Sequence, residues 1–454
     1  HEARRLRLRA GRHAIPIPSK GAGLTNMRFA LAIDLKDKLL RGGRAVRIFL
    51  GMVSIAFLLA LTREPRFEWI AAAAAVIFLG TAWAGVSLLR RWGGYDPWLL
   101  PLAATADVLG LLLAFRLNRQ LFYRQTAYSV LALLLMLALV WLFRRYPGWP
   151  KAYRGLALAA IGVLLLTSLA GRQINGAKSW LYIGTLGFEP SQLALAVFTL
   201  AIGMAVWRGS KEIWLLPAAA AVLAATHNLG AVLALALVLG GVAYLRGWNR
   251  RTVWIAAVCF LALSIVFYFV FPVVPARLAL WFSPVRQTGD FQMAAAFTAF
   301  AKGKLLGAGF VRATPESIPN AGSDFVFAAW AEITGTWGAW LIVGLFLFYL
   351  YRGLKAGASS FPDAGLTARA LAILIASQAF LQAGGNTGLI PLTGVAMPFV
   401  SGGGTTLVGN FLVTGMLLAL GPPGNLGRRE RSIFLTAAIV AGMIGLAALW
   451  RSLG

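Results

Sequence analysis

PLTGVAMPFVSGGGTTLVG, residues 391–409, sets a polar loop rich in proline and glycine between two apolar runs, each long enough to cross a bilayer. Backbone N–H and C=O groups cannot be left unpaired in hydrocarbon. Non-helical chain beside a membrane span is therefore tolerated only where it is buried in protein or lines a wet cavity. The stretch marks the chain as a membrane protein with a candidate site at the end of two of its spans.

The composition agrees. Of 454 residues, 59% are hydrophobic and 13% charged, with a mean hydropathy of +0.74, far more apolar side chains than a soluble core needs. The 42 Lys and Arg against 15 Asp and Glu give a net charge of +27. These cations sit in short clusters between apolar runs, as in loops that face anionic lipid headgroups, and this argues against nucleic acid as a partner. The single cysteine, Cys259, lies in an apolar run, so neither an internal disulfide nor a cysteine-based metal site exists. His1, His13 and His227 do not cluster in sequence.

A span needs about 20 mostly apolar residues. Thirteen segments come close: 46–62, 69–89, 97–115, 127–143, 155–170, 191–207, 213–226, 229–246, 252–271, 325–351, 368–386, 400–420 and 432–450. The pair around His227-Asn228 is the least regular. Residues 1–45 carry eleven Lys and Arg against three acids, which predicts a cytoplasmic N-terminus and a lipid-associating arm without chemistry. No cleaved signal is expected, and the first span is read as an anchor. Alternation then puts most basic loops inside. RLNRQLFYRQT, residues 116–126, is the exception, basic yet outside. The three long polar segments, 171–190, 272–324 and 386–400, all fall outside on one face. A channel or transporter would be expected to place polar features near mid-membrane and on both sides.

Acids in the largest of these segments are few: Asp290, Glu316 and Asp324. Asp324 stands at the lip of the next span. A carboxylate there can act as a base or hold a divalent cation. Equally, Ser323-Asp324 precedes a helix, where Asp caps exposed backbone N–H groups. The pattern leaves both open. Arg277, Arg286, Lys302, Lys304 and Arg312 put five cations in the same segment. Cations beside glycine-rich backbone suit a diphosphate.

Several separated motifs now resemble one family. They are Arg124-Gln125, GAKSW at 176–180, FEPSQLAL at 188–195, HNLGAV at 227–232, GDFQ at 289–292, KGKLLGAGF at 302–310, SDFVFAAWAE at 323–332 and QAGGNTGLIPLTGVAMPFVSGGGTT at 382–406. In this order they look like the SEDS (shape, elongation, division and sporulation) proteins, the RodA/FtsW group of peptidoglycan glycosyltransferases. The resemblance implies an all-α polytopic membrane protein with a ten-helix core over 97–420 and the large outer loop 272–324. Two extra N-terminal spans (46–96) and one extra C-terminal span (421–454) would flank that core.

It further implies a lipid II polymerase of the bacterial cytoplasmic membrane that releases undecaprenyl diphosphate. Its expected partner is a class B penicillin-binding transpeptidase, and a divalent cation, Mg or Mn, is expected. The family's essential Asp falls on Asp324, the expected base and possible metal ligand. Lys178, Trp180, Ser191, Gln192, Arg286, Gln292, Lys304, Glu332, Ser401, Gly403 and Gly404 are the expected substrate contacts. Departures from the family pattern stand at Gln192, Leu195, Asn228, Asn320, Gly402 and Thr405-Thr406, and Glu189 offers a replacement for the acid missing at 192. A non-catalytic scaffold of a division or elongation complex and a flippase for lipid-linked precursors are the alternative readings.

Overall fold

In a bilayer each apolar run can satisfy its backbone only by coiling on itself, and the described parts of the runs above fold as helices. The structure is a computed structural model that describes residues 45–62, 68–93, 95–146, 152–174, 177–184, 186–208, 215–226, 228–249, 251, 258, 265–266, 268–270, 273–282, 291–357, 362–420 and 428–453. The basic arm 1–44 and most of the segment 252–271 lie outside them.

In chain order the elements are α1 (Ala45–Thr62), α2 (Trp69–Trp92), α3 (Leu99–Leu117), α4 (Arg119–Arg145), α5 (Tyr153–Ala170), β1 (Arg172–Ile174), β2 (Ala177–Ile183), β3 (Leu186–Phe188), α6 (Pro190–Arg208), α7 (Leu215–Ala225) and α8 (Leu229–Arg246). After these come α9 (Val273–Phe282), α10 (Phe291–Gly303), α11 (Val326–Ala356), α12 (Pro362–Thr387), α13 (Gly404–Ala419) and α14 (Arg428–Leu453). Ten helices among the described residues are long and apolar enough to cross a membrane. The expected thirteen spans are reduced in three places. Segment 213–226 is the 11-residue α7. Segment 400–420 yields only the 16-residue α13, because Gly402 gives its N–H to Gly322 O at 2.6 Å instead of entering a helix. The third, 252–271, falls largely outside the described residues.

Burial sorts the bundle. In α3, α6 and α12 the most apolar 18-residue stretches are 83%, 78% and 78% buried, so these helices form the centre, whereas α5 and α14 at 22% form the rim. The main packing pairs are α4 with α13, α11 with α12, and α6 with α12.

Segment 171–190, read as a polar loop, is instead a three-stranded antiparallel sheet in the order β1-β2-β3. Arg172 pairs with Trp180 and Leu181 with Phe188. The sheet joins the end of α5 to the start of α6. At the same end of the bundle lie α9, α10 and the loop 388–403: Arg277 Nη1 donates to Thr393 O at 2.9 Å, Trp281 Nε1 donates to Gly388 O at 2.9 Å, and Gly388 lies against the Phe297 ring of α10. The described parts of the three long polar segments therefore converge, as the alternation predicts. The basic stretch 116–126 joins them. Its cations are used there: Arg116 donates to Phe310 O and Ala313 O, and Arg119 lies over the Phe115 ring and 3.6 Å from Glu68.

At the opposite end Arg352 of α11 meets the buried Asp96 in a two-pronged contact of 3.2 and 2.6 Å. Removing one partner of a buried pair strands the other charge, so Arg352→Met is expected to cost ~3 kcal/mol or more. Thermal unfolding in detergent checks this, and Asp96→Asn in the same chain should recover much of the loss.

Candidate active site

The site is built on a break in α11. Gly335 has φ +72°, and a Cβ there would lie 2.3 Å from Leu305 O and 2.4 Å from Gly307 N. Only glycine admits both the dihedral and the approach. The stretch 304–309 hydrogen-bonds to the broken turn, with Ala308 N to Glu332 O at 2.9 Å, Gly309 N to Ile333 O at 3.0 Å and Thr336 N to Lys304 O at 2.9 Å. Backbone groups freed by the kink are thus paired by the loop.

Asp324 stands at the head of this half-helix, and its main chain is held from two sides. Gln382 Nε2 and Asn386 Nδ2 of α12 donate to Asp324 O at 3.0 and 2.8 Å. Ser401 Oγ donates to Ser323 O at 2.7 Å and accepts from Met397 N at 2.9 Å. The capping reading of Asp324 does not hold. The α11 N-terminus carries no side-chain cap of its own, and Asn386 Oδ1 takes the Ala328 N–H at 3.2 Å in its place. The Asp324 side chain instead lines a cavity of about 230 Å³ walled by β2, α6, α8, α9, α12, the loop 393–403 and the first turn of α13.

Two carboxylates and one guanidinium meet in this cavity: Asp324, Glu189 and Arg277. Burial pushes the Asp324 carboxyl above its ordinary range, and the Arg277 charge pulls against it. Burial likewise raises Glu189, against hydrogen bonds from Ser191 and Gln192, while the charge of Asp324 raises it further. A carboxylate held above its ordinary range by burial, with a cation in the same cavity, suits the role of a proton acceptor. Gln378 Oε1 and Thr393 Oγ1, both on residues of the cavity wall, are buried without a protein partner. Buried polar atoms of this kind fit a polar ligand.

Of the expected site residues, Asp324, Trp180, Gln192, Ser401 and Gly403 line the cavity together. Ser191 stands behind it, donating to Glu189 Oε1 at 2.7 Å and accepting from Asn228 Nδ2 at 3.2 Å. Asn228 also caps α8 through Ala231 N. Lys178 falls on β2, but its side chain, like the whole of Arg286, lies outside the described residues. The other four are not among the residues that line the cavity. Gln292 sits in the first turn of α10. Lys304 is exposed, and its carbonyl serves the α11 break. Glu332 is buried and staples the loop, accepting from Thr314 N and Oγ1 at 3.0 and 3.1 Å. Gly404 opens α13 against the Tyr128 ring, where a Cβ would lie 2.6 Å from the ring edge.

The cavity adds residues outside the expected contacts: Glu189, Arg277, Asn228, Gln378 and Thr393. Glu189 had a signal in the sequence. The family's order of amide and acid is exchanged in EPSQ, so a carboxylate is kept three residues earlier.

Fold and site together define a multi-pass membrane protein with a polar, carboxylate-bearing cavity at one end of its helix bundle. Residues 104–422 match the FtsW/RodA/SpoVE family model, described as cell cycle protein, and the chain belongs to that family. It is 29% identical over 419 residues to the peptidoglycan glycosyltransferase RodA of Mycobacterium leprae, covering 82% of this chain and 88% of that protein. It is 27% identical to the "Probable peptidoglycan glycosyltransferase FtsW" of Halorhodospira halophila, covering 73% and 92%. Among solved structures it resembles a chain from work titled "Structural coordination of polymerization and crosslinking by a peptidoglycan synthase complex", with TM-score 0.61, 27% identity and coverage of 72% and 97%. It also resembles the rod shape determining protein RodA of Thermus thermophilus, with TM-score 0.55, 25% identity and the same coverage.

Proposed function

We propose that the protein is an inverting peptidoglycan glycosyltransferase that polymerises lipid II, with Asp324 as its general base. The observation that carries this reading is Asp324 in a cavity shared with Arg277. The Asp324 carboxylate accepts the proton of the acceptor sugar's C4 hydroxyl as that oxygen attacks C1 of the donor MurNAc. The bond from C1 to the diphosphate oxygen breaks, and undecaprenyl diphosphate leaves with the electron pair. Arg277 faces the leaving diphosphate, where a fixed cation stabilises charge as it develops. Trp180 and Gln192 form the wall against the sugars, and Ser401 with Gly403 forms the floor.

The cavity residues fit a divalent cation. Mg²⁺ is commonly held by one or two carboxylates together with substrate phosphates, and Asp324 with Glu189, beside the unpaired Gln378 Oε1, is such a donor set. No cluster of three or more His, Cys, Asp or Glu occurs among the described residues, so substrate oxygens would complete the shell. When bound, the ion would offset diphosphate charge.

Basic residues in the last turns of α2, α4, α6 and α8, at the opposite end, support an orientation with the cavity on the outer face of the cytoplasmic membrane and the N-terminus inside. There a class B penicillin-binding transpeptidase is the expected partner, in line with the structural neighbour's description as part of a synthase complex. Purified protein incubated with lipid II, alone and with such a transpeptidase, tests the reading. Glycan strands are expected, and no product under either condition would make the chain a scaffold.

A further inference from the structure

Helix α14 lies beyond the residues that match the family. It packs on α11, α10, α12 and α8. Ala441, Ile444, Ala448 and Ser452 form its buried stripe at helical spacing, and Leu435, Ile439, Leu446 and Trp450 face away. The fit to α11 is close, since a Cβ on Gly445 would lie 2.3 Å from the Trp340 ring.

The last turn of α14 reaches the end of the bundle that carries the site. Arg451 Nε donates to Thr387 O at 3.3 Å, at the C-terminus of α12. The same guanidinium lies 3.7 Å over the Phe297 ring of α10. Gly388 (φ +73°) passes against both: a Cβ there would lie 3.0 Å from Arg451 Nη2 and 3.0 Å from Phe297 Cζ. Next door, Ser452 Oγ is 3.1 Å from Thr336 Oγ1, beside the α11 break.

The turn of α12 that Arg451 caps is the turn that holds Asp324. Asn386, adjacent to Thr387, donates to Asp324 O and accepts from Ala328 N. A cation at a helix C-terminus stabilises its last carbonyls, and a guanidinium over a ring adds a second attachment.

We propose that Arg451 is a positioning residue for Asp324, and that α14 is a strut that fixes the last turn of α12 between the site and the outer helix α10. The assignment rests on the role of Asp324 given above. Misplacing a catalytic group by about 1 Å from a distance can cost on the order of 100-fold in rate.

Three full-length variants test it: Arg451→Leu, Arg451→Lys and Phe297→Leu. For Arg451→Leu, kcat per folded molecule should fall by about 10- to 100-fold with KM for lipid II within about threefold, because geometry and not substrate affinity is lost. Arg451→Lys, which keeps the cation and one donor, should recover most of the rate. Should Arg451→Leu yield too little folded protein, Phe297→Leu removes only the ring and should lower kcat in the same direction by less.

Unchanged kcat per folded molecule overturns the proposal. So does a rise in KM at constant kcat, which would make this end of α14 a substrate contact. Hydrogen exchange reads the same coupling without turnover. The Ala328 amide, bonded to Asn386, should exchange faster in Arg451→Leu, and unchanged exchange there overturns the proposal even if the wild type makes no polymer. That last result, no polymer from the wild type, counts instead against the assigned activity.

Discussion

Asp324→Asn is expected to stop lipid II polymerisation, with a loss of about 10³-fold or more in kcat, at the upper end of what a general base contributes. The amide has nearly the shape of the carboxylate but cannot take a proton. The variant should still fold. The hydrogen bonds to residue 324 run to its main-chain carbonyl, from Gln382 and Asn386, and a side-chain change leaves them in place. Stability gives an independent check. Burial raises the folded Asp324 carboxyl above its unfolded value, so its ionised form destabilises the fold as pH rises through that range. At neutral pH a neutral amide relieves this. A melting temperature equal to or above that of the wild type, with activity lost, is the expected pair of results. Activity at wild-type level would sink the mechanism. Loss of both activity and fold would make Asp324 structural.

Arg277→Leu is expected to lower kcat by about 100-fold and to shift the pH profile, for two separable reasons. In the proposed reaction the guanidinium, which shares the cavity with Asp324, meets the leaving diphosphate, and removing a fixed charge of this kind costs about 10²- to 10³-fold. It also holds the Asp324 carboxyl down against burial. Without it that carboxyl rises further. A base must be deprotonated to work, so the acid limb of the rate profile should move to higher pH. A kcat loss with an unshifted acid limb would leave Arg277 with the leaving group alone. Arg277 Nη1 also pins Thr393 O, so Arg277→Lys separates charge from anchoring. It should keep most of the pH profile while recovering only part of the rate.

The membrane class was legible because apolar runs and basic clusters are long-range, redundant signals. The convergence of three polar segments on one end was legible for the same reason. Shorter features were not. β1 and β3 have three residues each, too few for alternation to register. α13 starts at Gly404, inside an apolar run, because hydrogen bonding to residue 322 and not hydropathy sets its beginning.

Asp324 was singled out by its place in a motif, and the structure puts it in the wall of the cavity. The residue pattern alone reads first as a helix cap, and Asn386, 62 residues away, takes that task instead. Among five loop cations nothing in the sequence distinguishes Arg277. Its place depends on α9 resting against residues 393 and 394. Glu332 is the converse case, a motif residue whose carboxylate turns to Thr314 and ties the loop together.

The break at Gly335 also sets a height. Over its 31 residues α11 would measure about 46 Å if straight, against a hydrocarbon layer of about 30 Å. Cut at residue 335, the piece from Thr336 to Ala356 is about 31 Å long, one hydrocarbon thickness. The shorter piece with Asp324 at its head then starts where the hydrocarbon stops. On that geometry the Asp324 carboxyl is expected outside the hydrocarbon, at the level of the membrane surface, where a lipid-anchored diphosphate would reach it by sliding sideways within its leaflet. A thicker or thinner bilayer would tilt the trunk and change that level.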